Sequence, residues 1–275
     1  MRFSKMQGIG NDYIYVNCFE EQVENPAQLS IRLSDRHFGI GSDGLILIKP
    51  SEKADAEMDL YNADGSRAKM CGNGIRCVGK YVYERGIAQK DVLTIDTQSG
   101  VKTLYLETEA GKVKSIRVNM GQPGLTPESI PTTLSGIKEQ PLTANGQTYT
   151  VTCVSMGNPH CVIFVDDVQG LDLEKIGPAL ENHPAFPERA NIEFVRICGE
   201  DEVEMRVWER GSGETWACGT GACAVTVACA LTGRTGRRVL VHLRGGDLTI
   251  FWNEQTNEVE MTGPAEFVFD GEVQI

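Results

Sequence analysis

The sequence predicts an α+β fold made of two copies of one unit, and three observations lead to that prediction. Segments with the apolar spacing of helices alternate with segments that have the period-two pattern of strands. The second half of the chain repeats the first at a constant offset of 147 residues, so that Asn11 falls on Asn158 and Cys71 on Cys218. Each of these cysteines is followed by Gly-x-Gly and then by a run that predicts a helix. We interpret the chain as an internal duplication that presents one cysteine at a helix start in each half.

In the first half, short apolar or alternating segments predict strands, and helical spacing predicts two helices. Strands are expected at residues 2–6, 13–16, 45–48 and 58–61 and within 92–120. One helix is expected at 26–37, with Asn25 as its N-cap, and another at 75–85, ended by Gly86.

The second half begins after a proline-containing stretch at 123–141 that has few large apolar residues, so a domain boundary is expected near its start. Strands are expected within 151–164 and 239–261 and at 267–269. The predicted helix at 222–231 is apolar on all sides and built from small residues. That composition indicates a helix enclosed by protein, which we expect to be a curved sheet.

Composition excludes several classes of function. The net charge of −12 and the sequence pI of about 4.9 disfavour binding to nucleic acid or to an anionic membrane. The longest mostly apolar run is about ten residues, against the roughly 20 that a membrane span needs. Residues 1–6 lack the pattern of a signal peptide, and the nine cysteines are an odd number, so we expect reduced thiols and a cytoplasmic location.

The repeated cysteines predict acid–base chemistry. A cysteine just before a helix is favoured as thiolate by the unpaired N–H groups and the dipole of the first turn. The glycines that follow, at 72, 74, 219 and 221, allow an anion such as a carboxylate to approach those N–H groups. A thiolate and a thiol acting as a pair would invert a carbon centre without a cofactor, because one removes a proton and the other delivers one.

These motifs resemble the diaminopimelate epimerase family. The resemblance rests on residues 8–13, on 62–66 leading to 70–77, on 157–160 and on 209–211 leading to 217–221, and it extends from Lys5 to about Gly271. The family is an isomerase family that interconverts LL- and meso-diaminopimelate, on the route to lysine and the bacterial cell wall, without pyridoxal phosphate. The resemblance therefore implies this small-molecule substrate, a two-thiol mechanism, no cofactor, no metal and a homodimer.

The resemblance also implies a role for each matching position. Cys71 and Cys218 are the alternating base and acid, and His160 and Glu209 assist the thiols and orient the amine. The backbone N–H groups of four residues hold the reacting carboxylate: Gly72, Asn73, Gly219 and Thr220. The distal carboxylate is held by Arg210 with Asn62, Asn158 and Asn191, while Asn11 also lines the site, and Glu209 can meet an ammonium group.

The fold implied by the family is a pair of pseudo-symmetric α/β-roll domains, each a mixed, mostly antiparallel curled sheet around a central helix, with the active site in the interdomain cleft. We expect the first domain at 1–119, completed by a C-terminal strand within 264–275, and the second at 120–263. Two positions depart from some family members. Gly44 stands where they carry a glutamine ligand, and Phe269 where they carry a tyrosine associated with the dimer.

Alternative readings remain open from the residues. One is a cofactor-independent racemase of another amino acid, such as histidine; another is a redox or binding protein in which Cys71 and Cys218 form a disulfide. The cysteine spacings disfavour zinc, and the Gly-x-Gly-x-x-Gly run at 39–44 precedes a predicted strand, which is the wrong context for a dinucleotide. The remaining seven cysteines are predicted to be buried core residues: Cys18, Cys77, Cys153, Cys161, Cys198, Cys223 and Cys229.

Overall fold

The computed structural model describes residues 1–274, in which strands predominate over helices. The strands are β1 (Arg2–Gly8), β2 (Asn11–Asn17), β3 (Gly44–Lys49), β4 (Ala56–Asn62), β5 (Arg67–Ala68), β6 (Val92–Asp96), β7 (Lys102–Glu109), β8 (Lys112–Gly121), β9 (Gln140–Ala144), β10 (Gln147–Ser155), β11 (Pro159–Phe164), β12 (Asn191–Gly199), β13 (Glu202–Glu209), β14 (Gly213–Thr215), β15 (Arg238–Leu243), β16 (Gly246–Trp252), β17 (Val259–Gly263) and β18 (Glu266–Glu272). The helices are α1 (Pro26–Ser34), α2 (Gly72–Glu84), α3 (Leu173–Glu181) and α4 (Gly219–Thr232).

The chain divides into two compact units. The first contains Met1–Asn119 together with the C-terminal residues from Thr262 onward. Its mixed sheet has the strand order β18-β1-β2-β3-β4-β6-β7-β8, in which the pairs β2–β3 and β4–β6 are parallel and the other neighbours antiparallel. The last strand of the chain thus pairs with the first, with Arg2 opposite Glu272.

The second unit, Met120–Met261, repeats this arrangement. Its strand order is β9-β10-β11-β12-β13-β15-β16, with β11–β12 and β13–β15 as the parallel pairs. Strand β9 takes the place that β18 has in the first unit, because β18 lies antiparallel beside β1 and β9 lies antiparallel beside β10, the strand that corresponds to β1 at the 147-residue offset. The predicted α+β fold with a duplicated unit is confirmed.

Each sheet curls around one central helix. Helix α2 contacts β18 and β1 at one edge of its sheet and β6 and β7 toward the other, and its residues from Gly72 through Val82 are all buried. Helix α4 likewise contacts β10, β11, β12, β15 and β16, and is buried from Ala222 through Cys229. The prediction of a helix enclosed by a curved sheet is confirmed, and Gly233, with φ of 71°, ends α4 in the left-handed conformation.

Two local predictions need correction, and one helix was not predicted. Helix α1 ends at Ser34 instead of residue 37, because the Asp35 carboxylate accepts hydrogen bonds from the N–H groups of His37 and Phe38, both at 2.7 Å, and turns the chain. Asn25 occupies the N-cap position, but its backbone is left-handed and its side chain makes no cap bond. Helix α3, which contains Pro178, was not predicted.

The cysteine prediction is wrong at two of its seven positions. Cys198 lies exposed near the end of β12, where the strand runs past the core, and Cys18 is only half-buried. The other five are buried as predicted: Cys77, Cys153, Cys161, Cys223 and Cys229. In residues 1–274 there is no helix with the length and apolar character needed to cross a membrane.

Candidate active site

The two repeated cysteines occupy the same structural position in their units. Cys71 is the N-cap of α2, with an extended backbone (φ −135°, ψ 119°), and its Sγ accepts a hydrogen bond from the N–H of Gly74 at 3.3 Å. Cys218 is the N-cap of α4 (φ −118°, ψ 106°), and its Sγ accepts from the N–H of Gly221, also at 3.3 Å. Each thiol therefore takes the place of a capping hydroxyl, at the positive end of a helix dipole.

A glycine at the third residue after each cysteine leaves room for a buried side chain of the sheet. A Cβ placed on Gly74 would lie 2.8 Å from Cδ1 of Ile46, and one placed on Gly221 would lie 2.9 Å from Oε1 of Glu193. Ile46 and Glu193 are partners under the 147-residue offset, and both side chains fill the space beneath the first helical turn. The Cys-Gly-x-Gly run thus allows the helix to pack closely on the sheet, and it also leaves the backbone of the first turn accessible.

In the first unit, Cys71 faces the amide of Asn11 at the start of β2. The thiol donates to Oδ1 of Asn11 at 3.3 Å, and the other end of that amide, Nδ2, donates to Oδ2 of Asp43 at 2.7 Å. Arg36 contacts the second oxygen of Asp43 at 3.0 Å. A chain of polar contacts from the surface therefore fixes the orientation of the amide beside this thiol.

Tyr13 also lies beside the first thiol. Burial raises the pKa of its hydroxyl well above the ordinary value, and the neighbouring Cys71 adds to the shift. Asn73, in the first turn of α2, is buried, while Asn62 at the end of β4 donates from Nδ2 to Oγ of Ser66 at 3.0 Å. The first unit thus gathers Cys71, Gly72, Asn73 and Asn11, with Asn62 in the turn that precedes them along the chain.

In the second unit, Cys218 is buried among acidic groups. Burial raises the pKa of its thiol well above the ordinary value, and the charges of Glu209 and Glu193 raise it further. Burial also raises the pKa of Glu209, and a hydrogen bond from the Thr215 hydroxyl on β14 opposes that rise. This unit therefore favours a protonated thiol next to a carboxylate of raised proton affinity.

His160 is held at both ring nitrogens. Its Nδ1 lies 2.6 Å from Oε1 of Glu193, and its Nε2 lies 3.0 Å from Oδ1 of Asn158. The amide nitrogen of Asn158 donates to Oγ1 of Thr220 at 3.3 Å, and Oγ1 of Thr220 is 3.6 Å from Sγ of Cys218. These contacts lead from β12 to the beginning of α4.

Asn191 and Arg210 are joined through the backbone. Asn191, the first residue of β12, donates from Nδ2 to the carbonyl of Pro159 at 2.8 Å and accepts at Oδ1 from the N–H of Arg210 at 3.0 Å. The Arg210 guanidinium donates to the carbonyl of Glu188 at 3.0 Å. The second unit thus gathers the remaining predicted residues: Asn158, His160, Asn191, Glu209, Arg210, Cys218, Gly219 and Thr220.

Four residues in contact with this machinery were not singled out from the sequence: Tyr13, Asp43, Glu193 and Thr215. The 147-residue offset was the available signal for two of them, because it places Tyr13 on His160 and Ile46 on Glu193. At Gly44, a side chain is excluded as the backbone stands, since a Cβ there would lie 2.2 Å from the carbonyl oxygen of Tyr61. Within residues 1–274, no three His, Cys, Asp or Glu side chains lie close enough together to hold a metal ion.

The chain is similar to known proteins over its whole length. A family model described as diaminopimelate epimerase matches residues 3–126 and 152–268. Two proteins named diaminopimelate epimerase, from Agathobacter rectalis and Acetivibrio thermocellus, are 56% and 57% identical, with all of this chain and 100% and 99% of the relatives covered. One from Methanococcus maripaludis strain C5 is 52% identical, with 100% of both chains covered.

Solved structures share the fold at low sequence identity. A phenazine biosynthesis protein of the PhzF family from Bacillus anthracis aligns with a TM-score of 0.74 at 17% identity, covering 100% of this chain and 99% of that one. A probable proline racemase from Agrobacterium radiobacter aligns with a TM-score of 0.70 at 15% identity, covering 100% and 93%. These likenesses identify the architecture of the chain.

Proposed function

This chain belongs to the diaminopimelate epimerase family, and from that premise we propose that it interconverts LL- and meso-2,6-diaminopimelate with its own side chains as acid and base. The observation that carries the proposal is the matched pair of helix starts. Cys71 and Cys218 each cap a helix and each accept a hydrogen bond from the glycine N–H three residues later. A duplicated thiol suits a reaction whose two half-steps are the same proton transfer on opposite faces of one carbon.

The proposed step moves one proton in and one proton out. A thiolate on one cysteine takes the α-proton of the substrate, and the C–H electron pair passes into the adjacent carboxylate. The thiol of the other cysteine then gives its proton to the opposite face of the same carbon, and its S–H pair remains on sulfur. The N–H groups at the starts of α2 and α4, from Gly72, Asn73, Gly219 and Thr220, are suited to hold the carboxylate as negative charge develops on it.

The environment of Cys218 indicates which thiol is protonated in the free enzyme. Its pKa is raised by burial and by Glu209 and Glu193, whereas Cys71 is only half-buried. We infer that the resting form has Cys218 as the acid, with Glu209 ready to accept or return its proton. The form left after a turnover has the two protonation states exchanged, which is what catalysis in the reverse direction requires.

Specificity for a substrate with a second amino-acid head group is proposed to come from Arg210 and its neighbours. A guanidinium binds a carboxylate through two parallel N–H bonds, and here Asn191 fixes the Arg210 backbone while Glu188 orients one end of the fork. Asn62 and Asn158 add amide donors, and Glu209 can accept from an ammonium. A racemase of a single-headed amino acid such as histidine has no use for a fork at this position.

A homodimer and a cytoplasmic location complete the proposal. The dimer is supported by the edge strand β18, where Val268 is 57% and Phe269 48% exposed. The Phe269 ring packs edge-to-face on Phe3 with centroids 5.9 Å apart, so part of its surface is left for a second copy. Light scattering of the wild type and of Phe269→Glu tests this: a dimer converted to a monomer supports it, and a monomeric wild type contradicts it.

The reaction itself is tested by proton NMR of LL-diaminopimelate in D₂O with reduced enzyme and no added cofactor. We expect deuterium at the α-position and formation of the meso isomer. Both should be abolished in Cys71→Ala and in Cys218→Ala and retained in Cys198→Ala, which removes an exposed cysteine. If the wild type leaves diaminopimelate unchanged but racemises another amino acid, the substrate assignment is wrong; if it exchanges none, the two-thiol reaction is wrong.

A further inference from the structure

Glu193 is an acidic residue at a position where packing of the fold requires no charge. It lies on β12 with none of its surface exposed, and its Oε2 has no hydrogen-bond partner among the residues that the structure describes. Burying a carboxylate costs several kcal/mol unless a specific partner holds it. The partner is His160, also fully buried, whose Nδ1 lies 2.6 Å from Oε1.

The first unit shows what the fold alone requires at this position. Under the 147-residue offset, Glu193 corresponds to Ile46, and the two side chains fill equivalent spaces beneath Gly221 and Gly74. A buried isoleucine supports the beginning of α2 without any charge. The residue equivalent to His160 is Tyr13, so the first unit lacks both members of the ionisable pair. The carboxylate therefore serves the second unit for a reason other than packing.

The hydrogen bonds around His160 determine where its proton lies. Nε2 is 3.0 Å from Oδ1 of Asn158, an acceptor, so Nε2 carries a proton. The other end of this amide, Nδ2, donates to the Thr220 hydroxyl at 3.3 Å. On the opposite side, a contact of 2.6 Å between Nδ1 and a carboxyl oxygen also contains a proton. The ring is thus fixed in orientation with its Nε2–H directed at Asn158.

We propose that Glu193 is a positioning residue for the epimerisation: through His160 it fixes the Nε2 proton, the amide of Asn158 and the Thr220 hydroxyl beside Cys218. The inference rests on the proposed function for its meaning, because it assigns Glu193 to the acid–base machinery of the same site. A partner on Nδ1 fixes the orientation of the ring and with it the direction of Nε2.

The charge of Glu193 also acts on its other neighbours. The titratable groups that it faces from the elements packed against β12 are His160 and Cys161 on β11, Glu209 on β13 and Cys218 on α4. After burial and Glu209, Glu193 is the next cause of the raised pKa of Cys218. Removing its charge should therefore shift the pH dependence of turnover, an effect that a packing role would not produce.

The test uses two variants of full-length enzyme and one matched control. Glu193→Gln keeps the shape and offers an N–H to Nδ1 while removing the charge. Glu193→Ile introduces the side chain that the first unit carries at the same place. Ile46→Val shortens the side chain in the equivalent space of the first unit and removes no ionisable group. Two readouts are used: ¹⁵N NMR of the His160 ring in substrate-free protein, and the pH dependence of kcat and KM for α-deuterium exchange.

In the wild type we expect a protonated Nε2 on His160. In Glu193→Ile, both neutral tautomers should be populated, and kcat should fall roughly 10- to 100-fold with a smaller change in KM, in keeping with the loss of a partner that orients a catalytic group. Glu193→Gln should keep the Nε2–H form and more of kcat, with the limbs of its pH profile moved to lower pH. Ile46→Val should keep the wild-type tautomer and profile.

The proposal is overturned if His160 in the wild type lacks a proton on Nε2, or if Glu193→Ile leaves both the His160 spectrum and the pH profile unchanged. Should Glu193→Ile not fold, Glu193→Gln decides the matter, because an unchanged pH profile of turnover in that variant rejects the role. Failure of the wild type to act on diaminopimelate would instead reject the proposed function, while the spectra of substrate-free protein would still report whether Glu193 fixes the ring.

Discussion

Asp43 fixes the direction in which Asn11 presents its amide. The Nδ2 of Asn11 donates to Oδ2 of Asp43 at 2.7 Å, which leaves Oδ1 to accept from the Cys71 thiol at 3.3 Å. An amide that is free to rotate would offer its donor end to the thiol half of the time, so the carboxylate selects the acceptor end. The first unit therefore positions its thiol partner through a neighbour, as the second unit does with a different set of residues.

Replacing Asp43 should slow catalysis by releasing this amide. For Asp43→Ala we expect kcat for α-deuterium exchange to fall about 10-fold, because an outer contact to a site residue is lost. Arg36→Gln is the matched control, since it removes the guanidinium contact at 3.0 Å on Asp43 and leaves the Asn11 contact intact. Equal losses in the two variants would show that the surface ion pair, and not the amide orientation, matters.

Removing the hydroxyl of Thr215 should shift the pH dependence of kcat/KM. Burial raises the pKa of Glu209, and the hydrogen bond from Thr215 opposes that rise. Thr215→Val removes the opposing contact, so the carboxyl holds its proton to higher pH and the acid limb of kcat/KM moves upward in pH. Thr148→Val, at an exposed threonine pair, serves as control. A limb that stays in place would mean that Glu209 does not titrate in the rate-limiting form.

Alkylation rates should separate the cysteines of the substrate-free enzyme. Burial raises the pKa of Cys218 well above its usual value, with Glu209 and Glu193 as further causes, so little thiolate is present near neutral pH. We expect iodoacetamide at pH 7.5 to modify Cys218 more slowly than the exposed Cys198, followed by peptide mass spectrometry. Faster labelling of Cys218 than of Cys198 would contradict the assignment of Cys218 as the resting acid.

The sequence predicted the parts of the fold that repeat or that depend on short spacing. The 147-residue offset related the two cysteines and the two helices that follow them, because duplication preserves the order of strands and helices; both helices begin three residues earlier than predicted, at Gly72 and Gly219. The same offset maps the start of α1 at Pro26 onto Leu173, where α3 begins, but Pro178 within α3 obscures the helical pattern. Cys198 was expected in the core, and is exposed because β12 extends past the core while still paired with β13.

The contacts within the site were less accessible to prediction. Glu193 and His160 lie 33 residues apart in the chain, and their pairing depends on the parallel register of β11 and β12, which places Asn191 opposite His160. Asn11 and Asp43 meet for a similar reason, through the parallel pairing of β2 and β3. Residue types and spacing identify the acid–base groups. The residues that orient those groups are identified from the register of the sheet.

The buried carboxylate of Asp59 should make the free energy of unfolding depend on pH in the acid range. Its carboxylate is buried and pairs with Lys49 and with Arg67, whose Nε lies 2.6 Å from Oδ1. Burial raises the pKa of Asp59, but the two cations outweigh it and the net shift is downward from 3.8. A carboxyl with a lowered folded-state pKa stabilises the protein fully above its unfolded-state pKa and loses that contribution as pH falls through its folded-state pKa.

Urea unfolding of Asp59→Asn should show a loss of about 2 kcal/mol in the free energy of unfolding at pH 7. This is below the full effect of a buried pair because both partners reach solvent. The difference from wild type should shrink as pH falls below 3.8, whereas a constant difference from pH 7 to pH 3 would show that packing, and not the charge of Asp59, is responsible. Arg2→Ala, at the exposed pair with Glu20, should leave stability unchanged over the same range.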